Sequence, residues 1–412
     1  MSLAVGLLHF TAPPVVGGVE TVIGQHVRLL AGAGHRVRLI VGRGGTGSRS
    51  VEVVRLPLAD GRARPIRDAQ RSLDRGEVPP SFPALVDELT ADLRRATVGL
   101  DVLVAHNVCS LNLNVPLTAA LARLAAGQAA PRVVAWAHDV AATSPAYRSR
   151  LHPGDPWDLY RSPWPGAAHV AVSEARRYEL VSATGVAPEA VTVVPNGIDT
   201  GVATGLRPAT RALVAALALD RAWPVLFAPA RLVPRKNLAL AIEVVAALRR
   251  GGDDARVIIT GEPDPHAPRT EDHLNDLRAL AERTGATPGV HLLVDGPTRW
   301  RSASTIADLF RVADALFYPS RDEGFGLPVL EAAACRLPVV CADIPALREI
   351  AGDDATYVDP SGDPDRVAAV VRERLAADAA DRLRRRVRSG YAWDAILADR
   401  IEPLLLRVAG GG

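Results

Sequence analysis

Residues 315–340 read ALFYPSRDEGFGLPVLEAAACRLPVV, and this stretch decides the fold class. It predicts a strand (ALFYPS), a glycine-containing turn, a helix and a second strand (LPVV). Both strands are continuously apolar rather than alternating, which indicates strands covered on both faces, as in parallel sheets. A strand, a helix and a further strand in this order predict a βαβ unit, and therefore an α/β fold.

The same pattern extends over most of the chain in two series. Seven apolar, strand-like runs lie between residues 3 and 197, and five lie between residues 224 and 342. They predict two doubly wound parallel-sheet domains, 1–200 and 201–390. The boundary is expected in the segment 197–210, which is rich in Gly, Thr and Pro. A C-terminal amphipathic helix at about 391–412 is expected to pack back on the first domain.

The composition excludes several classes of protein. The chain has 412 residues, a net charge of +2 and three cysteines without metal-ligand spacing. There is no charge excess that would indicate a nucleic-acid partner, and no apolar run long enough to span a bilayer. The N-terminus lacks the positive region of a signal peptide. We therefore expect a cytoplasmic globular protein, and the oligomeric state is left open.

Two carboxylates flank the glycine turn. Glu323 precedes the sequence Gly-Phe-Gly, and Glu331 is expected about two turns into the following helix. Glycines expose backbone N–H groups, and a carboxylate accepts hydrogen bonds from adjacent hydroxyls, so the pattern suits a ribose or a hexose. The alternative is a capped helix with two surface acids.

A cationic pair follows the strand VLFAPA. Arg231 comes directly after it, and Lys236, the only lysine among 48 basic residues, opens the next helix. A guanidinium fork, an ammonium and a helix N-terminus can together neutralise a diphosphate. Alternatively, Arg231 pairs with an acid and Lys236 is solvated.

The predicted first domain offers weaker candidates. Gly17 and Gly18 lie at a strand-to-helix turn that could admit an anion or be a plain turn. His138 and His106 each end a strand, where a histidine can bind a polar ligand or be a structural residue.

Four motifs together resemble the retaining GT-B glycosyltransferases of family four. They are GGVE…LLAGAGHRV, VSEARRYEL…VVPNGID, ARLVPRKN and PSRDEGFGLPVLEAAA, and they span nearly the whole chain. The resemblance implies two Rossmann-like domains that face each other across a cleft. It also implies a nucleotide-sugar donor, UDP- or GDP-linked, and no required cofactor.

The resemblance assigns roles in the second domain. Arg231 and Lys236 would hold the donor diphosphate, Glu323 would face the donor sugar, and Glu331 would bind the nucleotide ribose. The backbone that meets the sugar and diphosphate would be that of Phe325, Gly326 and Leu327.

In the first domain, the resemblance places His138 near the donor sugar. Gly17 and Gly18 would lie near phosphate or acceptor, and Asn196 near the cleft. Two features depart from the family pattern: Arg336 stands where glycine is usual, and residues 260–268 form a longer, proline-rich turn. That turn could shape the base pocket, so the nucleotide base is left undecided.

The predicted function is transfer of a hexose from a UDP-glucose or GDP-mannose type donor to an acceptor hydroxyl, by front-face displacement with retention. No metal site is expected, because the sequence DPD at 363–365 suits a helix N-cap. A sugar-nucleotide epimerase fits the glycine turn poorly. A degenerate transferase or nucleotide-sugar-binding protein without turnover stays open.

The acceptor is also open. The segment 62–75 carries five arginines, which could bind a small acidic or sugar acceptor, contact an anionic membrane surface for a lipid-linked acceptor, or form a solvated helix. Trp157, Tyr160 and Trp164 could stack on a sugar or fill the space beneath their loop.

Overall fold

Neighbouring residues of the first strand are buried on opposite faces of a sheet, as the continuous apolar runs predict. The computed structural model describes residues 2–46, 48, 51–127, 131–164, 166–261 and 270–410. In it, Leu7 and Leu8 belong to two different apolar clusters. Both are almost completely inaccessible to solvent. A strand buried on both faces requires helices on each side of the sheet.

The chain divides into two compact units. Unit 1 consists of residues 1–197 and 391–412, and unit 2 consists of residues 198–390. The first crossing between them falls in the predicted linker 197–210, where two helices, Thr200–Ala203 and Pro208–Ala216, begin unit 2.

Unit 1 contains a seven-stranded parallel sheet of order β3-β2-β1-β4-β5-β6-β7. In its register, Leu7 lies between Leu39 on one side and Val104 on the other. The strands are β1 Ala4–Thr11, β2 Arg36–Arg43, β3 Glu52–Arg55, β4 Val102–His106, β5 Arg132–Ala137, β6 Ala168–Ala171 and β7 Val191–Val193. Its first five helices are α1 Gly18–Gly32, α2 Arg64–Leu73, α3 Phe82–Ala96, α4 Val115–Ala125 and α5 Glu174–Thr184.

Unit 2 contains a six-stranded parallel sheet of order β10-β9-β8-β11-β12-β13. The strands are β8 Val225–Ala228, β9 Arg256–Ile259, β10 Val290–Leu292, β11 Ala315–Tyr318, β12 Val339–Ala342 and β13 Thr356–Val358. Its helices are α6 Thr200–Ala203, α7 Pro208–Ala216, α8 Leu238–Arg250, α9 Thr270–Arg283, α10 Ala303–Val312, α11 Leu327–Ala334, α12 Pro345–Ala351, α13 Pro364–Ala377 and α14 Ala379–Gly390.

The prediction of five strands for the second domain was wrong by one. The missed strand, β13, is a three-residue edge strand in which only Val358 is fully buried. A strand this short, with one covered residue, leaves no continuous apolar run in the sequence.

Strand order fixes where ligands can bind. In each unit the strand order reverses once, between β1 and β4 in unit 1 and between β8 and β11 in unit 2. The loops that leave these two strands diverge to opposite faces of the sheet, which opens a crevice at their carboxyl ends. Arg231, Lys236 and Glu323 follow the reversing pair of unit 2.

The C-terminal segment packs on the sheet of unit 1. It consists of α15 Trp393–Ile396, a π-helical turn Leu397–Ile401 and α16 Glu402–Gly410, and its apolar side chains share a cluster with Leu7. Gly197 must be small, because a Cβ there would lie 2.6 Å from the Trp393 ring. Among the helices of the described ranges, none has the length and apolar character to cross a bilayer.

Candidate functional site

Lys236 is buried rather than solvated. It ends a short 3-10 turn, Pro234–Lys236, that follows β8. Its ammonium donates hydrogen bonds to the Tyr318 hydroxyl, at 2.7 Å, and to the Glu323 carboxylate. The ammonium also lies 4.9 Å from the centre of the Tyr318 ring. The sequence alternative of a solvated lysine was therefore wrong, and Tyr318 is a site residue that the sequence analysis did not identify.

The Glu323 carboxylate is held in its ionised form. Only 7% of its side chain is exposed, and Arg235 lies 3.6 Å from it. Burial raises the pKa of Glu323, but the hydrogen bonds from Lys236 and Tyr318 outweigh burial, so the pKa is lowered overall. Burial, followed by the adjacent Glu323 charge, raises the pKa of Tyr318, which keeps its proton. The cluster thus contains a carboxylate, an ammonium and a neutral phenol.

Asn237 connects the ends of β8 and β11. Its backbone is in the left-handed region, with φ of 52°, which asparagine tolerates better than most residues. Its side-chain amide donates to the Pro319 carbonyl, at 3.1 Å, and to the Pro360 carbonyl, at 2.8 Å. These bonds hold the Lys236 turn against the β11 loop.

Arg231, which follows β8, is exposed. Within the described part of the chain, its guanidinium makes no hydrogen bond and no ion pair, so the predicted pairing with an acid is not seen there. The loop after β9 passes directly beside it, because a Cβ on Gly261 would lie 1.9 Å from the Ala230 carbonyl oxygen. The proline-rich turn at 260–268 lies, from residue 262 on, outside the described residues.

Of the two glycines in the loop, only Gly326 adopts a backbone conformation that favours glycine. Gly326 has φ of 105° and precedes α11, and a Cβ there would lie 2.6 Å from Leu347. Gly324 faces open space. Phe325 and Leu327 are both more than half exposed, whereas Gly326 between them is buried.

Glu331 lies on the same short helix. Since α11 begins at Leu327, Glu331 is about one turn into the helix, and the expected two turns were wrong. Its side chain is exposed and meets no hydrogen-bond or ion-pair partner among the residues described. An unpaired carboxylate is free to accept hydroxyl donors.

Arg336 ends α11 in a Schellman motif. The Leu337 N–H bonds the Ala332 carbonyl at 2.9 Å, and the Arg336 N–H bonds the Ala333 carbonyl at 3.0 Å. Arg336 has φ of 57°, the conformation that glycine favours. Its side chain reaches no acid in the described ranges. Arg336 therefore stands at a turn position where the family usually has glycine, and it makes no ion pair there.

In unit 1, the Gly17–Gly18 turn is filled by an acidic side chain. A Cβ on Gly17 would lie 2.1 Å from Oε2 of Glu20, whereas Gly18 faces open space. Glu20 accepts a hydrogen bond of 2.5 Å from the Thr11 hydroxyl. A carboxylate in the first turn of α1 therefore occupies the position predicted for an anion, and Glu20 is a further residue that the sequence analysis missed.

His138 lies just after β5 and is buried. Asn107, which has φ of 59°, accepts hydrogen bonds from the backbone N–H groups of His138, at 2.8 Å, and Asp139, at 3.1 Å. His138 Nε2 lies 3.0 Å from Nδ1 of His106. Burial, with smaller contributions from other nearby histidines, lowers the pKa of His138 to about 3, so its imidazole is neutral at pH 7.

The remaining predicted positions are separate from these clusters. Asn196 is exposed after β7, and its side chain makes no hydrogen bond within the described ranges. Asp363 caps α13 by accepting from the Arg366 N–H at 3.1 Å, which confirms the predicted N-cap. No group of three or more His, Cys, Asp or Glu in the described ranges is placed to hold a metal ion.

The aromatic and basic segments of unit 1 have structural partners. Trp157, Tyr160 and Trp164 are buried, and the Tyr160 hydroxyl donates to Thr118 at 2.8 Å. They fill the space beneath their loop and do not form a stacking surface. On α2, Asp68 lies 3.7 Å from both Arg64 and Arg71, which partly neutralises the basic face.

The fold and the site define an α/β protein with an ammonium, a carboxylate and a neutral phenol clustered at the carboxyl ends of β8 and β11. Two family models match the chain: Glycosyltransferase Family 4 over residues 16–202 and Glycosyl transferases group 1 over residues 213–391. The chain belongs to the family four glycosyltransferases of group 1. Its two parallel α/β units, of seven and six strands, are those of the GT-B fold.

Curated relatives match part of the chain. The D-inositol 3-phosphate glycosyltransferase of Segniliparus rotundus is 31% identical over 218 residues, which cover 50% of this chain and 45% of that protein. The serotype-specific mannosyltransferase WbdA of Escherichia coli is 32% identical over 174 residues, covering 42% of this chain and 19% of that protein. The chain thus spans about half or less of the length of these relatives.

Alignment with solved structures gives matches of low sequence identity. The sucrose-phosphate synthase of Thermosynechococcus elongatus aligns over 100% of both chains, with 18% identity and a TM-score of 0.41.

Proposed function

We propose that this glycosyltransferase moves a hexose from a UDP-glucose or GDP-mannose type donor to an acceptor hydroxyl, with retention of configuration. The observation that carries the proposal is the buried Lys236–Tyr318–Glu323 cluster at the switch point of unit 2. It places an ammonium where the strand order of a parallel sheet opens a ligand crevice.

The cations support a diphosphate ligand. An ammonium has three N–H donors, and Tyr318 and Glu323 engage two of those of Lys236. The third is available to a phosphate oxygen. Arg231 adds an exposed guanidinium that is unpaired among the described residues, and a guanidinium can grip a phosphate with two parallel hydrogen bonds.

The carboxylates support a sugar and a ribose. We assign Glu331, exposed and unpaired within the described chain, to the ribose hydroxyls of the nucleotide. We assign Glu323 to the donor sugar, since Lys236 and Tyr318 hold its carboxylate in place. The backbone at Phe325, Gly326 and Leu327 is assigned to the sugar and diphosphate.

In unit 1, the resemblance to the family assigns His138 to the donor sugar, and Gly17 and Gly18 to phosphate or acceptor. It places Asn196 near the bound substrates. Glu20 fills the turn beside Gly17, so an anion there would have to displace its carboxylate or bind through Gly18.

The reaction is a front-face displacement. The acceptor oxygen forms a bond to the anomeric carbon while the bond from that carbon to the diphosphate oxygen breaks. The departing diphosphate takes the proton of the acceptor hydroxyl, so the products are a glycoside and a nucleoside diphosphate. The developing negative charge on the leaving group is what Lys236 and Arg231 stabilise, and no enzymic base is needed.

We further propose a small phosphorylated polyol as acceptor. The support is that several curated relatives are named D-inositol 3-phosphate glycosyltransferases. The arginines of α2, which could serve this acceptor or an anionic membrane surface, are partly neutralised by Asp68.

The test is thermal unfolding of the protein with UDP, GDP, ADP and their sugar conjugates, followed by turnover with inositol phosphates and other polyol phosphates. A ligand at one hundred times its dissociation constant adds about 2.7 kcal/mol of stability. We expect one base to shift the melting temperature, and the glycoside product to have the anomeric configuration of the donor.

Lys236→Ala should abolish the shift with the nucleoside diphosphate. Arg250→Ala, at the other end of α8, is the matched control and should keep it. A product of opposite anomeric configuration would refute the retaining mechanism. No shift with any nucleotide would refute the donor site as assigned and would favour a degenerate protein.

A further inference from the structure

A cluster of buried aromatic rings lies behind His138 in unit 1. The ring centres of His26, His106 and Trp136 lie between 5.0 and 5.4 Å from one another. All three side chains are almost completely inaccessible to solvent. His106 is the member of this cluster that contacts His138.

The two ring nitrogens of His106 have different surroundings. Nδ1 lies 3.0 Å from Nε2 of His138. Nε2 is buried and has no hydrogen-bond partner among the described residues. The buried indole nitrogen of Trp136, in the same cluster, also lacks a partner there.

These surroundings determine which nitrogen carries the proton. Burial lowers the pKa of both histidines far enough to keep each of them neutral at pH 7, so each has a single N–H. Only one proton can lie between Nδ1 of His106 and Nε2 of His138. A proton on Nε2 of His106 would make it a buried N–H without an acceptor, beside the Trp136 ring at 5.4 Å whose own N–H is already unpaired among the described residues. Buried N–H groups without a partner are rarer in folded proteins than unused acceptors. His106 therefore carries its proton on Nδ1 and donates it to His138.

We infer that His106 is a positioning residue, which fixes His138 in the tautomer that carries its proton on Nδ1. The inference deepens the proposed role of His138 at the donor sugar and rests on it. Nδ1 of His138 makes no hydrogen bond within the described chain. It presents an N–H donor, whose ligand is an oxygen of the bound sugar. In this tautomer, His138 does not act as a base through Nδ1.

The tautomer is measured by NMR on the full chain labelled with 15N in its histidine rings, because a protonated and a bare ring nitrogen differ in 15N shift. His138 signals are assigned by their loss in His138→Gln. We expect Nδ1 of His138 to be protonated and Nε2 to be bare in the unsubstituted protein. The opposite pattern would overturn the inference, and this result requires no variant of His106.

Substitution at His106 supplies a second readout. His106→Leu should move the His138 proton to Nε2 and lower kcat/KM for the nucleotide sugar about tenfold to a hundredfold, as expected when the partner that orients a functional histidine is lost. The affinity for the nucleoside diphosphate alone should not change. His106→Asn, whose amide can donate from the same position, should restore the Nδ1 tautomer and part of the activity.

His169→Leu is the matched control. It removes a buried imidazole from the adjacent strand β6, and among the described residues that imidazole has no bond to His138. It should leave the His138 tautomer unchanged. If the tautomer is as inferred but His106→Leu turns over normally, the role of His138 at the sugar fails and the structural assignment stands. An unchanged tautomer in His106→Leu would refute His106 as the positioning residue.

Discussion

Replacing Lys236 by methionine separates the structural contribution of its charge from the functional one. The side chains of Lys236 and Glu323 are only 10% and 7% exposed. Methionine keeps much of the volume of lysine but leaves the Glu323 carboxylate without its ammonium partner. A second variant, Lys236→Met combined with Glu323→Gln, removes both charges at once.

The two variants should differ in stability. Breaking a buried pair by removing one partner costs about 3 to 5 kcal/mol, whereas replacing both charges is often nearly neutral. Arg235 at 3.6 Å and the Tyr318 hydroxyl still interact with Glu323, so we expect the lower end, about 3 kcal/mol. For a unit of this size, that lowers the melting temperature by about 6 to 12 °C. The double variant should recover most of this loss.

The loss of turnover should be similar in the two variants, although their stabilities differ. One preorganised charge on a developing oxyanion contributes about a hundredfold to a thousandfold to kcat, and both variants lack the ammonium. Differential scanning calorimetry and initial rates at saturating donor, below the melting transition, measure the two effects. A double variant that regains normal turnover would refute the diphosphate role of Lys236. A single variant that melts like the unsubstituted protein would refute a desolvated ion pair.

Three further predictions concern backbone geometry and pH. Gly326→Ala should cost about 2 kcal/mol from its positive φ and the clash with its neighbour, whereas Gly324→Ala, in open space, should stay within about 0.5 kcal/mol; equal losses in urea unfolding would contradict this account. Arg336→Gly should add about 1 kcal/mol, because glycine adopts a φ of 57° without strain, and Gly185→Ala, at a φ of 71° with open space around it, should lose a similar amount. If Arg336→Gly does not raise the urea midpoint, the strain is absent. Burial lowers the pKa of His26 from 6.5 to about 3, so below pH 6.5 this imidazole is protonated in the unfolded chain and stays neutral in the folded chain. As the pH falls below 6.5, this residue therefore lowers the free energy of unfolding by about 1.4 kcal/mol per pH unit. His26→Leu should reduce the slope of the unfolding free energy between pH 6.5 and 4 by that amount. An unchanged slope would show that His26 is protonated in the folded state.

Much of the site could be predicted from sequence, because its residues are close in the chain. Glu323, Gly326 and Glu331 lie within nine consecutive residues, and the turn chemistry of glycine and the helix that follows it are local properties. The lone lysine was also visible. What was missed depends on residues that are distant in the chain.

Tyr318 and Asn107 illustrate the limit. Tyr318 lies 82 residues from Lys236 in the chain, and it contacts the ammonium only because β8 and β11 are adjacent in the sheet. Asn107 holds His138 because β4 and β5 are neighbours. In the sequence, Tyr318 is one more apolar residue of a buried strand, and Asn107 is an ordinary loop residue.

The sequence by itself determined the parallel α/β class, the two series of strands, the glycine turn and the cations and carboxylates that follow β8 and β11. These follow from periodicity and short-range spacing, which any chain of this pattern would express. Only the tertiary structure decided that Lys236 is buried against Tyr318 and Glu323, that Glu20 fills the Gly17 turn, and that His106 contacts His138. Those contacts depend on strand order and side-chain burial, because charge and proton positions are set by the neighbours that folding brings together.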